Sequence, residues 1–74
     1  MYTIYVKERF SENLKALRAE SNLSQVGLAK AIGVTQQCVS EWENMKTEPT
    51  LSYLWLLADY FGVSLDVLCG RADE

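Results

Sequence analysis

Ser24-Gln25-Val26-Gly27-Leu28-Ala29-Lys30-Ala31-Ile32-Gly33-Val34-Thr35-Gln36-Gln37-Cys38-Val39-Ser40-Glu41-Trp42-Glu43 is the stretch that decides the fold. Ser24 suits a helix N-cap, because its hydroxyl can accept from a free N–H of the first turn. Leu28, Ala29 and Ile32 then share one helical face, with Val26 beside it. Gly27 takes the place where a glutamate would complete a capping box. A glycine inside a helix costs about 0.5–1 kcal/mol relative to alanine. Gly33 suits a turn that needs positive φ, and Val34 plugs that turn into the core. Thr35 caps a second helix whose inner face carries Val39 and Trp42. Two short helices joined this tightly make a helix-turn-helix motif. Gln36 and Gln37 open the second helix, where glutamine amides can reach adenine edges in a DNA major groove.

Outward from this centre the chain reads as three more helices. Residues 2–6 are rich in Tyr, Ile and Val and predict a short strand or an ordered arm. From Phe10 the period becomes helical, with Phe10, Leu14 and Leu17 on one face and Ser11 as the cap. This helix stops near Ser21-Asn22, where small polar side chains compete for backbone bonds. Asn44 to Pro49 forms a loop, since proline blocks helix continuation. Thr50 caps a fourth helix with Leu51, Leu54, Leu57, Ala58 and Phe61 inward, and Gly62 ends it. Ser64 caps a last short helix that buries Leu65 and Leu68, and Gly70 ends that one. The expected architecture is an all-α, compact five-helix bundle. Residues 1–9 form an arm or short strand, 10–70 the helical domain and 71–74 a polar tail.

Size and composition narrow the classes. A chain of 74 residues allows one domain, near the lower limit for a self-sufficient core. Efficient packing or dimerisation must make up the difference. The hydrophobic fraction of 49 % and the charged fraction of 23 % are ordinary for a globular domain. No apolar run approaches the ~20 residues of a membrane span, and the first residues lack the form of a signal peptide. A cytoplasmic location is the default expectation. Cys38 and Cys69 form no close pair and histidine is absent, so two free thiols are expected, with no metal site and no cofactor. The net charge of −3 stands against duplex binding, which usually needs a basic footprint. Residues 35–50 carry Glu41, Glu43 and Glu48 against Lys46 alone. Lys7, Arg9 and Lys15 are further sources of positive charge.

The order of these pieces resembles the Cro/C1-type helix-turn-helix family of phage and bacterial repressors, the lambda-repressor-like domains. The matching stretches are Leu23-Ser24-Gln25, Leu28-Ala29-Lys30, Ile32-Gly33-Val34-Thr35, Val39-Ser40-Glu41-Trp42-Glu43, Pro49-Thr50-Leu51 and Leu57 to Leu68. The likeness runs from about Phe10 to Gly70. It implies a five-helix domain that binds operator DNA, commonly as a dimer on a near-palindromic site. It also implies roles. Thr35, Gln36 and Gln37 resemble the start of the recognition helix, with Ser40 and Glu41 meeting bases or the sugar-phosphate edge further along. Gln25, Asn44 and Lys46 resemble residues that contact phosphates. Arg18 and Glu43 resemble an internal ion pair. Met45 and Gly27 depart from the family pattern, which often has glycine and glutamate there.

Each role has a plainer counterpart. Gln36 and Gln37 are also good solvated helix formers, although a bidentate amide–adenine pair is worth roughly 1–3 kcal/mol of discrimination. Gln25 stands at a helix N-terminus that favours an anion, or is simply exposed. Lys46 is a phosphate clamp or a solvated loop lysine, and Asn44 touches phosphate or closes its helix. Cys38 grazes a thymine methyl or fills space. Glu41 accepts from cytosine N4, or repels the backbone and penalises loose binding. Tyr53, Trp55, Tyr60 and Val67 look surplus to the core, with Leu56 beside them. Tyr53, Trp55, Leu56 and Val67 are candidates for a homodimer surface, with partial core burial as the other reading. The Tyr2–Val6 segment offers a strand that could pair across a two-fold axis.

The expected function is a sequence-specific duplex-DNA-binding regulator of transcription. It would repress by operator occupancy as a homodimer, with no small-molecule ligand site. The alternative is a protein-interaction module on the same fold, of antitoxin or antirepressor type. An enzyme is disfavoured, because histidine is absent and no serine or cysteine has a base at useful spacing.

Overall fold

The computed structural model describes the backbone of residues 2–71 and the side chains of residues 6–71. It consists of α1 (Tyr2–Glu20), α2 (Gln25–Ile32), α3 (Gln36–Glu43), α4 (Leu51–Phe61) and α5 (Leu65–Leu68). Among the described residues there is no strand. The all-α, five-helix architecture is as the sequence predicts.

Ser24, Thr35, Thr50 and Ser64 cap their helices from extended backbone. Each side chain accepts from the N–H three residues on, at Gly27, Cys38, Tyr53 and Val67. The C-termini share a second device. The N–H two or three residues past the helix reaches back to a carbonyl five residues earlier, as in Leu23→Arg18, Val34→Ala29, Lys46→Glu41, Val63→Ala58 and Arg71→Asp66. This Schellman closure needs a left-handed residue in its centre. Asn22, Gly33, Met45, Gly62 and Gly70 supply it, with φ from 53° to 82°.

The core comprises Phe10, Leu14, Leu28, Ala29, Val39, Trp42, Leu57, Ala58 and Leu68. Leu17, Ile32, Val34, Leu54 and Phe61 pack around it, half-buried. Helix α2 packs chiefly on α3, while α1 crosses α3 and α5. Asn13 Nδ2 donates to the Val67 carbonyl at 3.2 Å, and Arg9 Nη2 donates to the Gly70 carbonyl at 3.0 Å. These bonds tie the C-terminal end of the fold to α1.

Four sequence expectations are corrected. Residues 2–9 are neither strand nor arm but the first turns of α1. The inner stripe Phe10, Leu14, Leu17 extends one turn upstream to half-buried Val6, and this period outweighs the local β-preference. A strand paired across a two-fold axis is thereby removed. Ser11 is not a cap: it is buried within α1, and its hydroxyl donates to the Glu8 carbonyl at 3.1 Å. Leu51 and Leu65 are not inward but 69 % and 36 % exposed. Both directly follow an N-cap, where the helix has just begun to turn towards the core. Tyr53 is not surplus. It packs against the core, its ring 5.8 Å from that of Trp42.

Candidate nucleic-acid interface

The caps place the polar residues of the helix-turn-helix. Ser24 makes Gln25 the first residue of α2, and Thr35 makes Gln36 and Gln37 the first two of α3. The Thr35 hydroxyl is engaged, accepting from Cys38 N–H at 3.1 Å. Helix α3 turns Val39, Trp42 and Glu43 inward, all buried. Its other side presents exposed Gln36, Gln37 and Asn44, with Ser40 and Glu41 half-buried between them. The residues singled out on α3 therefore lie on one outward stripe.

A chain of hydrogen bonds runs from the interior to that stripe. Arg18 Nε and Nη2 donate to Glu43 Oε2 and Oε1 at 2.7 and 2.9 Å, and Arg18 Nη1 donates to the Leu23 carbonyl at 2.9 Å. Glu43 is 5 % exposed. The side-chain hydrogen bonding of Arg18 to the Glu43 carboxylate is the main cause that raises the Arg18 pKa above its usual value, and burial opposes it. Gln25 Nε2 donates to Glu43 Oε1 at 3.0 Å, and Gln36 Nε2 donates to Gln25 Oε1 at 2.9 Å. Gln25 is thus half-buried and committed on both sides of its amide, a contact that spacing alone did not reveal. One N–H of its amide is still uncommitted in this chain of bonds, and α2 begins beside it.

The remaining candidates behave differently. Gln37 Nε2 donates to Glu41 Oε2 at 3.3 Å along the exposed face. Asn44 Nδ2 donates to the Ser40 carbonyl at 2.9 Å and to Ser40 Oγ at 3.2 Å. Its amide therefore closes α3. Lys46 is exposed in the following turn. Cys38 and Cys69 are free, half-buried thiols. Burial, then the nearby Glu41 or Asp66 carboxylate, raises each thiol pKa.

Two of the seven cationic side chains are engaged within the fold. Arg18 serves Glu43, and Arg9 lies on the Gly70 carbonyl. Arg71 reaches Asp66 only at 3.7 Å, with both side chains largely exposed. Lys15, Lys30 and Lys46 are exposed and Lys7 is half-buried.

The dimer candidates divide. Trp55 is 60 % and Leu56 45 % exposed, whereas Tyr53 and Val67 are half-buried. Trp55 instead shares a shallow groove with Ala58, Asp59, Val63 and Leu65. Leu65 was missed as a surface residue. The available signal was its place directly after Ser64, the same place that exposes Leu51 after Thr50. Among the described residues no His/Cys/Asp/Glu group could hold a metal ion, and no helix is long and apolar enough to cross a membrane.

The comparisons with known proteins agree with this geometry. Residues 14–68 match the helix-turn-helix family HTH_3. An HTH-type transcriptional regulator of Methanocaldococcus jannaschii is 40 % identical over 62 residues, covering 82 % of this chain and 94 % of its own. The cryptic phage CTXphi transcriptional repressor RstR of Vibrio cholerae is 33 % identical over 66 residues. That match covers 89 % of this chain and 55 % of the repressor, so the chain spans little more than half of that relative. The solution structure of the SOS-response transcriptional repressor LexA from Eubacterium rectale superposes with a TM-score of 0.82 at 36 % identity. It covers 86 % of this chain and 68 % of that one. The chain belongs to the Cro/C1-type helix-turn-helix family of transcriptional regulators.

Proposed function

We propose that this chain binds duplex DNA sequence-specifically and represses transcription by occupying a near-palindromic operator as a homodimer. The observation that carries the reading is the placement of Gln36 and Gln37, two outward amides in the first turn of α3, with Gln36 braced by Gln25. In this reading α3 enters the major groove, where Gln36, Gln37, Ser40 and Glu41 meet bases next to Thr35. Lys46, the α2 N-terminus at Gln25 and the end of α3 at Asn44 fix the register on phosphates. Occupancy needs no cofactor and no chemistry.

The net charge of −3 makes a single domain a weak ligand for DNA. Two domains on one palindrome recover affinity through effective concentration. Trp55 and Leu56, with Leu65 in the adjoining groove, are among the exposed apolar residues that could serve pairing. The same exposed groove, together with the net negative charge, is what favours the second reading, a protein-interaction module on this fold.

Selection from a random duplex library at low salt separates the two readings. The proposal expects an enriched near-palindrome that a Gln36→Ala/Gln37→Ala protein no longer enriches. No enrichment by the folded wild-type chain overturns it in favour of a protein partner.

A further inference from the structure

The groove between α4 and the start of α5 has a chemistry that apolar pairing does not use. It is lined by Trp55, Ala58 and Asp59 of α4 and by Val63 and Leu65. Trp55 and Asp59 are four residues apart on α4, so the indole and the carboxylate are neighbours on one helical face. Both are exposed. Among the described residues the Asp59 side chain meets no cation and no hydrogen-bond donor. The surrounding chain has the same sign of charge. From Thr47 to Gly70 it carries Glu48, Asp59 and Asp66, and no lysine or arginine.

We propose that this groove binds an arginine side chain of a partner protein, with the guanidinium stacked on Trp55 and paired with Asp59. The inference rests on the protein-binding reading of the groove and gives that partner its chemistry; it does not depend on DNA reading by α3. Charge complementarity selects the occupant. An indole face attracts a cation, and a carboxylate accepts from both arms of a guanidinium fork. Arginine makes both contacts because its charged group is planar, whereas the lysine ammonium is a compact, strongly hydrated point charge. Val63 and Leu65 receive its aliphatic stem. The groove measures about 200 Å³. Pockets for free small molecules run to roughly 300–1,000 Å³, so this one suits a single side chain presented by a protein. The same acidic surroundings repel a phosphate backbone and disfavour nucleic acid as the occupant.

The test selects random short peptides on the folded chain at about 0.15 M salt, where loosely held charges are screened. The most enriched peptide is synthesised with arginine and again with citrulline, which keeps the shape and removes the charge. Binding is followed by NMR at the Trp55 indole N–H and at the backbone amides of Ala58, Asp59, Val63 and Leu65. Trp42, buried in the core, serves as the unshifted reference. The enriched peptide should contain arginine and shift those signals. Citrulline should weaken it about tenfold or more, the loss of a charge-assisted bond. Asp59→Asn should weaken it about fivefold or more, and Trp55→Leu about threefold. Glu48→Gln removes the same charge outside the groove and should stay within about twofold of wild type. Equal losses in Glu48→Gln and Asp59→Asn overturn the inference, because net charge alone then explains binding. Citrulline peptides that bind as well as arginine peptides overturn it too. Enriched peptides without arginine that still shift Trp55 and Leu65 overturn it while the protein-binding reading stands, and no enrichment removes both. Groove shifts that follow the concentration of the chain alone and vanish in Arg71→Ala place a second copy there, which also overturns it.

Discussion

Arg18 and Glu43, 25 residues apart in the chain, meet through two hydrogen bonds of 2.7 and 2.9 Å that lock α1 to α3. The Arg18 side chain keeps 21 % of its exposure and that of Glu43 only 3 %. Breaking a buried pair by removing one partner costs about 3–5 kcal/mol, whereas replacing both with apolar groups is often nearly neutral. Glu43→Leu should therefore lose about 3 kcal/mol, since Arg18 can partly return to water. Arg18→Met/Glu43→Leu should be more stable than either single change. Urea denaturation of the four proteins checks this, and a double variant as unstable as the sum of the singles contradicts it.

Met45 adopts φ 63° in the Schellman closure of α3, with its N–H donating to the Trp42 carbonyl at 3.3 Å. Left-handed backbone costs a side-chain-bearing residue about 1–2 kcal/mol. Glycine removes that strain but adds roughly 0.4–1 kcal/mol of unfolded-state entropy. Met45→Gly should therefore stabilise the fold by about 0.5–1 kcal/mol. An unchanged or lower thermal midpoint would show that the 42 % exposed side chain makes contacts worth keeping.

Gly70 lies at φ 82°, and a Cβ there would stand 2.7 Å from Arg9 Cβ and 3.1 Å from Asn13 Nδ2. Gly70→Ala combines backbone strain with this clash and should cost about 2 kcal/mol or more. Hydrogen exchange should show the loss first in α5, whose anchoring bonds run to Arg9 and Asn13. A uniform loss of protection across all helices would instead make α5 part of one cooperative unit.

The two thiols predict a pH trend. Burial raises both above the usual thiol range, so the folded chain holds these protons more tightly than the unfolded one. Their contribution to stability is complete below the unfolded thiol pKa and is lost as pH rises through the folded one. Wild type should therefore lose more stability than Cys38→Ser/Cys69→Ser between neutral and strongly alkaline pH. Denaturation midpoints at several pH values measure the difference, and parallel curves would rule the thiols out as its source.

The helix boundaries of α2 to α5 were legible because Ser24, Thr35, Thr50 and Ser64 act locally, on an N–H three residues away. The start of α1 was not, because Thr3, Ile4 and Val6 suit a strand equally well. What the helix gains is tertiary: it sets half-buried Val6 one turn before buried Phe10 on the inner face. Leu51 and Leu65 were misread for a geometric reason. Period alone counts them as inward, while the first residue after each cap points away. The outward stripe of α3 could be read from period, since Val39 and Trp42 fix its opposite face. The link from Glu43 through Gln25 to Gln36 could not, as it depends on how two helices meet in space. Gly27 shows the same limit. Its extra Cβ would lie 3.0 Å from Leu23 Cδ1, so the propensity gain expected of alanine meets a neighbour that must yield.

The most direct measurement of the central claim is a backbone-amide NMR titration of the chain with the duplex it enriches. The account predicts that the largest shifts fall at the start of α2, on Gln36 to Glu41 and around Lys46, and that they fade as salt rises. Shifts confined to Trp55, Leu65 and their groove, or none at low salt, would contradict a DNA-reading role for α3.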